Sequence, residues 1–326
     1  MQPGQWKKIS VVLLLCMGLR SFAQQDPQFS QYFLNQAAYN PAFTGLDKSL
    51  SATAQFRSQW MGIEGHPISQ NIAVHSPVPV LHGGLGIVLL NEQAGVLRNT
   101  GVTVNYSYII KTKAGEFSFG VSGGAVQVEV DGSKLRAPDG EYLNGDINHN
   151  DFLLPVVPVN GFAADFATGI FFNGKNLSGG ISVSHVLPQT VKLNTEGSSL
   201  LFDYERQYYL QLGYLAKFSK QAGIRPSVMV KSDGNFLQAE ADLLFLYKDF
   251  LWMGAGYRGF NNQSEDAIIA TAGINIAENF RLGYSYDFSV SALNTVNNGS
   301  HEVVLNYRID LMKPVKPGKI IYTPRF

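Results

Sequence analysis

The feature that most constrains this chain is an apolar/polar alternation with a period of two residues. In "NFRLGYSYDFSV", Phe280, Leu282, Tyr284, Tyr286, Phe288 and Val290 share one face, and Arg281, Gly283, Ser285, Asp287 and Ser289 share the other. "HEVVLNYRIDL" repeats the pattern, setting Val303, Leu305, Tyr307, Ile309 and Leu311 against Asn306, Arg308 and Asp310. "GVTVNYSYII" and "RQYYLQLGYLAKF" alternate in the same way, and in "NFLQAEADLLF" the second face holds Gln238, Glu240 and Asp242. Side chains of a strand point alternately to its two faces, so this period predicts half-buried β-strands rather than helices.

A soluble sandwich also alternates, so the surroundings of the strands must decide between architectures. Several segments approach the ~9–11 residues that a tilted strand needs to cross a bilayer. Their apolar faces are rich in Tyr and Phe, as the aromatic girdles of a membrane barrel require. The connections also differ on the two sides of the sheet. "KTKAGE", "FNGKN", "FSKQAG", "LYKDF" and "IAENF" are tight turns. Between them stand "RSQWMGIEGHP", the stretches 131–160 and 188–204, "GFNNQSEDA" and "SALNTVNNGS". "KSDGN" is a short connection on the long-loop side. Short turns at one end and longer loops at the other are the outer-membrane arrangement. Composition agrees: charged residues make up 15% of the chain, with 33 Gly, 15 Tyr and 21 Phe, against a usual charged fraction of about 25%. The expected fold is an all-β, antiparallel up-and-down transmembrane barrel of about fourteen strands, an even number as in single-chain bacterial barrels. Both ends of the barrel are then expected on the short-turn side.

The first 23 residues read as an export signal. Lys7 and Lys8 precede an apolar run, and Ser21, Phe22 and Ala23 form a small-residue exit. Cys16 follows Leu15 instead of a small residue, which argues against lipidation. With Lys7, Lys8 and Arg20 removed, 22 basic residues face 25 acidic ones, which gives no sign of a nucleic-acid binder. The expected organisation is signal 1–23, a polar N-terminal segment 24–48, a barrel 49–311, and a basic, Pro-containing tail 312–326. Asp165, Glu240, Asp242, Arg258, Arg281, Asp287 and Arg308, with Arg225 and Lys231, fall on the inward faces. Mixed charge in a confined lumen is expected to pair with itself. A selectivity ring would favour one sign.

The segment "QQDPQFSQYFLNQAAYNPAFTG" (24–45) has almost no charge. Asp26-Pro27 is a good helix start, Asn40-Pro41 a good stop, and Phe29, Tyr32, Phe33 and Gln36 would share one helical face. A short helix in or at the barrel is expected. Packed in the lumen it would be a plug, the favoured reading; at the periplasmic rim it would be a recognition element.

These residues carry a resemblance. The sequence resembles the PorP/SprF family of outer-membrane proteins linked to type IX secretion and gliding motility. The resemblance is carried by Asp26, Pro27, Phe29, Ser30, Gln31, Tyr32, Asn40, Pro41, Ala42 and Gly45, then by "RSQW", "GGLGIVLLNEQAG", "RPSVMVK", "LLFLYKDFLWMGAGYR", "GYSYDFSVSAL" and "NGSHEVVLNYR". It covers nearly all of the chain after the signal, and the tail extends past it. The resemblance implies a Gram-negative outer-membrane protein without enzymatic activity or cofactor. It also implies work with periplasmic ring components of the type IX machinery, and export or surface retention of a secreted adhesin-like partner. A transport channel or porin is the alternative.

The remaining motifs favour plainer readings. Gly254, Gly256 and Gly259 spell G-x-G-x-x-G, but a dinucleotide fingerprint needs a helix to follow, and this motif lies in a strand. The six histidines lack metal-ligand spacing. Ser184, His185 and Asp203 have the types of a triad without anything to orient them. Asp131, Asp139, Glu141, Asp146 and Asp151 suit a solvated loop better than a weak Ca²⁺ site, since their spacing departs from the EF-hand pattern. That loop, with Tyr142 and His149, and loop one, with Trp60 and Met61, are the candidate contacts for a secreted partner. The tail is expected to be a disordered periplasmic extension or a docking element.

Overall fold

The computed structural model describes residues 26–311, except 143–145, 152, 188, 196–197, 249, 261–265 and 278. The expected signal peptide and C-terminal tail therefore lie outside the described residues.

The strands are β1 Ser49–Ser58, β2 Ile68–Val78, β3 Gly83–Ala94, β4 Leu97–Lys111, β5 Gly115–Asp131, β6 Pro158–Gly174 and β7 Leu177–Ser184. A hairpin follows, β8 Gln189–Thr195 and β9 Ser198–Tyr204. Then come β10 Gln207–Tyr214 with its short continuation β11 Ala216–Lys217, β12 Ala222–Ser232, β13 Leu237–Tyr247, β14 Leu251–Arg258, β15 Ala267–Ala277, β16 Phe280–Ser289 and β17 Ser300–Asp310. Each barrel strand pairs antiparallel with its neighbours, and β1 pairs with β17 from Ser49↔Asp310 to Ser58↔His301. With β8 and β9 set apart and β11 counted with β10, fourteen strands close the barrel. Closure leaves no free edge to template aggregation.

The alternation read from sequence is the alternation of burial. Along β1, Ser49, Ser51, Thr53, Gln55 and Arg57 are buried, while Leu50, Ala52, Ala54 and Phe56 face outward. Outward residues such as Val104, Phe119 and Ile181 are half exposed, as a lipid-facing band must be. Polar side chains point inward, and many find partners there, as Asn306 does with Ser51 and Thr53.

The two ends of the barrel are unequal. Residues 112–114, 175–176 and 218–221 connect strands tightly on one side, and loops 59–67, 132–157 and 290–299 stand on the other. The short connection 233–236 is on the loop side as expected, and the structure adds a second there at Gly95–Val96. Strands β5 and β6, 17 residues each, exceed the ~9–11 needed to cross.

One expectation needs correction and another is sharpened. The stretch 188–204, read as a plain loop, contains the β8–β9 hairpin. Val191 and Leu193 on it are fully buried against Val126, Val128 and Val130 on the inner face of β5, and Val159 and Ala163 on β6. Gly161 permits this approach, because a Cβ there would lie 2.5 Å from the Lys192 carbonyl oxygen. The hairpin thus folds over the inner wall at the loop-side mouth, where burial of this valine cluster favours it.

The N-terminal segment is helical and lies inside the barrel as expected, and only its form differs. It forms no continuous helix between Asp26 and Asn40 but three separate 3-10 turns, Tyr32–Leu34, Gln36–Ala38 and Pro41–Phe43. Asn40 begins the third turn instead of ending a helix, its side chain accepting from Ala42 N–H at 3.0 Å. A helix satisfies its own backbone and suits an element with one buried face. Here Phe29, Ser30, Gln31, Tyr32 and Phe33 are all buried in sequence, so the wall must reach the segment from several directions and supplies its hydrogen bonds. β1 starts and β17 ends on the turn side, as expected of the barrel's two ends, whereas Asp26, the first described residue, lies in the loop-side half of the lumen.

Candidate functional site: the lumenal segment and its network

Residues 26–47 run down the lumen from the loop-side half to the turn side, and their first part is held by charge. Asp26 Oδ1 lies 3.0 Å from His185 Nε2, and Tyr209 O–H donates to Asp26 Oδ2 at 2.5 Å. Lys231 Nζ donates to the Asp26 carbonyl at 2.7 Å. The other imidazole nitrogen of His185 faces Asp165 Oδ1 at 2.8 Å. Both ring nitrogens can donate only in the imidazolium form. Burial would depress the pKa of His185, but the charge of Asp26 and hydrogen bonds to Asp165 and Asp26 outweigh it and push it up to about 10. Burial would raise Asp26, yet the charge of His185, hydrogen bonds from His185 and Tyr209, and the charge of Lys231 hold it down at about 2.

A second cluster grips Ser30 and Gln31. The N–H groups of both residues donate to the two oxygens of Glu302, at 2.7 and 2.9 Å. Ser30 Oγ donates to Asp287 at 2.9 Å and accepts from Arg57 Nη1 at 2.9 Å and Arg258 Nη2 at 2.5 Å. Arg57 Nη2 pairs with Asp287 Oδ2 at 2.7 Å. Arg258 pairs with Glu240 at 2.5 Å, Asp287 at 2.9 Å and Asp266 at 3.0 Å. Glu240 in turn accepts from Gln28 Nε2 at 3.2 Å. Arg57, Arg258, Glu240, Asp287 and Glu302 are at most 1% exposed as side chains. Such groups are tolerated only when each is paired and hydrogen-bonded.

The later part of the segment is held by shape and neutral polar groups. Asn35 Nδ2 donates to Gln55 and Asn71, each at 2.8 Å. Asn40 Nδ2 reaches the carbonyls of Ile170 and Ile181 at 3.1 and 3.2 Å. Glycines of the wall make the room: a Cβ at Gly169 would lie 2.3 Å from Asn40 Oδ1, and one at Gly120 only 2.1 Å from Ala42 N. Gly45 has φ +78° and passes so close to Gly84 that a Cβ would lie 2.8 Å from its Cα. That position therefore requires glycine on two counts. Phe43 meets Phe171 edge-on at 5.2 Å, and Leu46 is fully buried beside them.

The inward charges expected from sequence divide into three groups. Asp165, Glu240, Arg258 and Asp287 belong to the clusters above. Arg308 sits at the turn side, donating to Ser49 Oγ and the Asp47 carbonyl, both at 3.2 Å. Asp242 fills the space over Gly256, and Arg281 makes no ion pair among the described residues. Arg57 and Glu302 were not singled out as charges in the sequence reading. Strand parity was the available signal, since Glu302 alternates inward with Val304 and Asn306.

The loop candidates fare differently from one another. Trp60 and Met61 tie loop one to the last loop: Trp60 N–H donates to Ser300 Oγ at 3.1 Å and Met61 N–H to the Gly299 carbonyl at 2.8 Å. Met61 stays exposed. His149, expected as a surface contact, is 2% exposed. Its Nδ1 meets Tyr142 O–H at 2.9 Å and its Nε2 the Pro155 carbonyl at 2.9 Å. His149 therefore pins the loop from inside, because a ring with both nitrogens satisfied by its own loop is a packing group. Tyr142 is half-buried in the same knot, with Arg136 over its ring at 4.7 Å.

The Ser184, His185 and Asp203 set does not assemble: His185 uses both nitrogens on Asp26 and Asp165, and Asp203 accepts from Thr190 Oγ1 at 2.6 Å. Gly254 and Gly256 make room for Leu244 and Asp242 of the neighbouring strand. Among the described residues, no group of three or more His, Cys, Asp or Glu could hold a metal ion.

Fold and lumen together define an outer-membrane β-barrel whose interior is occupied by its own N-terminal segment. The family described as type IX secretion system membrane protein PorP/SprF matches residues 21–307, and this chain belongs to it. No curated protein matches. Solved structures with a similar barrel include Omp33 of Acinetobacter baumannii, 8% identical, covering 82% of this chain and 100% of that one, with TM-score 0.46. The toluene transporter TbuX of Ralstonia pickettii is 12% identical, covering 83% and 92%, with TM-score 0.48.

Proposed function

We propose that this protein is a non-enzymatic outer-membrane partner and anchor of the type IX and gliding machinery, needed for export or surface retention of a secreted, adhesin-like protein. In this reading the long loops face outward and hold the exported partner. The short turns face the periplasm and meet components of the secretion apparatus, and segment 24–48 acts as a plug. The observation that carries it is the lumen itself: a segment bound by two charge clusters and fitted against wall glycines leaves little room for through-transport. The occupied lumen thus weighs for a binding role over a transport channel. Family membership supports the link to type IX secretion.

The test is recovery of the intact, tagged protein from detergent-solubilised outer membrane, followed by mass spectrometry of what travels with it. Enrichment of a secreted surface protein together with periplasmic type IX components is the expected result. Recovery of neither would sink the reading.

A further inference from the structure

A cavity of about 290 Å³ remains in the turn-side half of the lumen, beneath the N-terminal segment. Its ceiling is Phe33 and Leu34 of that segment, and its apolar wall includes Leu215, Leu244, Leu246 and Trp252. Lys175 and Asn176 of the β6–β7 turn stand at its turn-side rim. Two arginines line it, Arg225 on β12 and Arg281 on β16.

These two differ from every other lumenal arginine. Arg57, Arg258 and Arg308 each have a carboxylate within 4 Å. Arg225 and Arg281 have no ion pair and no hydrogen bond among the described residues. The nearby Asp47 is already engaged with Arg308 at 3.7 Å, and Arg281 feels the positive charges of Arg308 and Arg225 as well as the more distant negative charges of Asp47 and Asp310. Arg225 lies over Gly213, its Nε 3.7 Å and its Nη2 3.8 Å from where a Cβ would stand. Placing two like charges together in a partly apolar cavity is unfavourable unless an anion offsets them.

We infer that this cavity is a binding site for a carboxylate carried on an apolar group. The planar guanidinium groups match a carboxylate's geometry, and the leucines with Trp252 and Phe33 would cover the apolar part. A site of this composition, mostly apolar with a few convergent polar groups, is the usual form of a small-ligand pocket. The chemistry has two natural sources in the space below an outer membrane: the C-terminal residue of a peptide, or a lipid-derived acid. The site does not depend on which exported protein the loops hold.

Trp252 makes the inference directly measurable. In a Trp60→Phe background, its fluorescence is followed while the intact, detergent-purified protein is titrated with N-acetylphenylalanine and, separately, octanoate. N-acetylphenylalaninamide and octanol are the neutral counterparts. The expected result is saturable change with at least one acid, with its neutral counterpart at least tenfold weaker. Arg225→Gln and Arg281→Gln should each weaken the acid by about tenfold, as loss of a charge-assisted hydrogen bond does, and Lys in either place should restore part of the loss. Heat-modifiable mobility on gels confirms that each variant is a folded barrel. Response to N-acetylphenylalanine alone assigns the peptide source, and response to octanoate alone the lipid source. Equal binding of acids and neutral counterparts, unchanged binding in the double Gln variant, or no saturable signal from either acid overturns the inference.

Discussion

The two ends of the lumenal segment are held by different physics. Residues 26–31 sit among charges, where Asp26 meets His185 and Lys231, and Ser30 bridges Arg57, Arg258 and Asp287. Residues 40–46 carry no charge and rest in notches cut by Gly120, Gly169 and Gly84. Charge pairing is strong but depends on protonation and on every partner being present. Shape complementarity is indifferent to pH and intolerant of one added methyl group. The contrast teaches that the segment has one end that a change of protonation could release and one end held by fit and neutral hydrogen bonds.

The largest expected effect comes from removing the contrast altogether. Deleting residues 24–37 should take single-channel conductance from near zero to a resolved open level in planar bilayers. Unchanged, near-zero conductance would mean the segment is not what closes the lumen.

Breaking the charged end from the wall side comes next. Arg57→Ala leaves Asp287 and Glu302 short of a buried partner and should destabilise the barrel by about 3–5 kcal/mol. The change is read from the urea midpoint of folding. A shift no larger than that of a surface substitution would show the cluster to be incidental.

The fitted end is probed with one methyl. Gly169→Ala should cost about 1–3 kcal/mol through overpacking against Asn40, and Asn40→Ala alone about 1 kcal/mol through loss of its cap. In the double variant the clash with Asn40 disappears and only the 2.9 Å approach to the Ile181 carbonyl oxygen stays, so the two costs should sum to less than their separate values. Strict additivity would place the strain elsewhere.

The smallest effect is the pH response of the charged end. His185 has its pKa raised to about 10, so its contribution is complete below its ordinary value near 6.5 and fades as pH rises through 10. Asp26, lowered to about 2, contributes fully above its ordinary value near 3.9 and loses that only as pH falls toward 2. Protease access to the segment should therefore stay low from about pH 4 to 6.5 and rise toward pH 10. His185→Gln should raise access at pH 6 and flatten the alkaline rise, whereas Gly169→Ala should leave its shape unchanged.

Much of this was legible along the chain. Parity alone turned Asp165, Glu240, Arg258 and Asp287 inward, and the uneven connections told one mouth from the other. The N-terminal stretch was visible as something that belonged inside a polar container. Its helical caps misled, because Asp26 serves an ion cluster, and Asn40 starts the turn after it while reaching two strand carbonyls, instead of ending a helix before it. The hairpin at 189–204 was missed for a related reason: its valine and leucine are buried by β5 and β6, not by each other.

What the sequence by itself determined is the face each strand residue presents, since the two-residue period is a property of extended backbone and needs no partner. What only the tertiary structure decided is who meets whom. Ser30 and Glu302 are 272 residues apart along the chain, and Arg57 and Asp287 are 230 apart. Only closure of β1 against β17 brings such groups within bonding distance. The same closure leaves Arg225 and Arg281 facing a cavity without a described counter-ion.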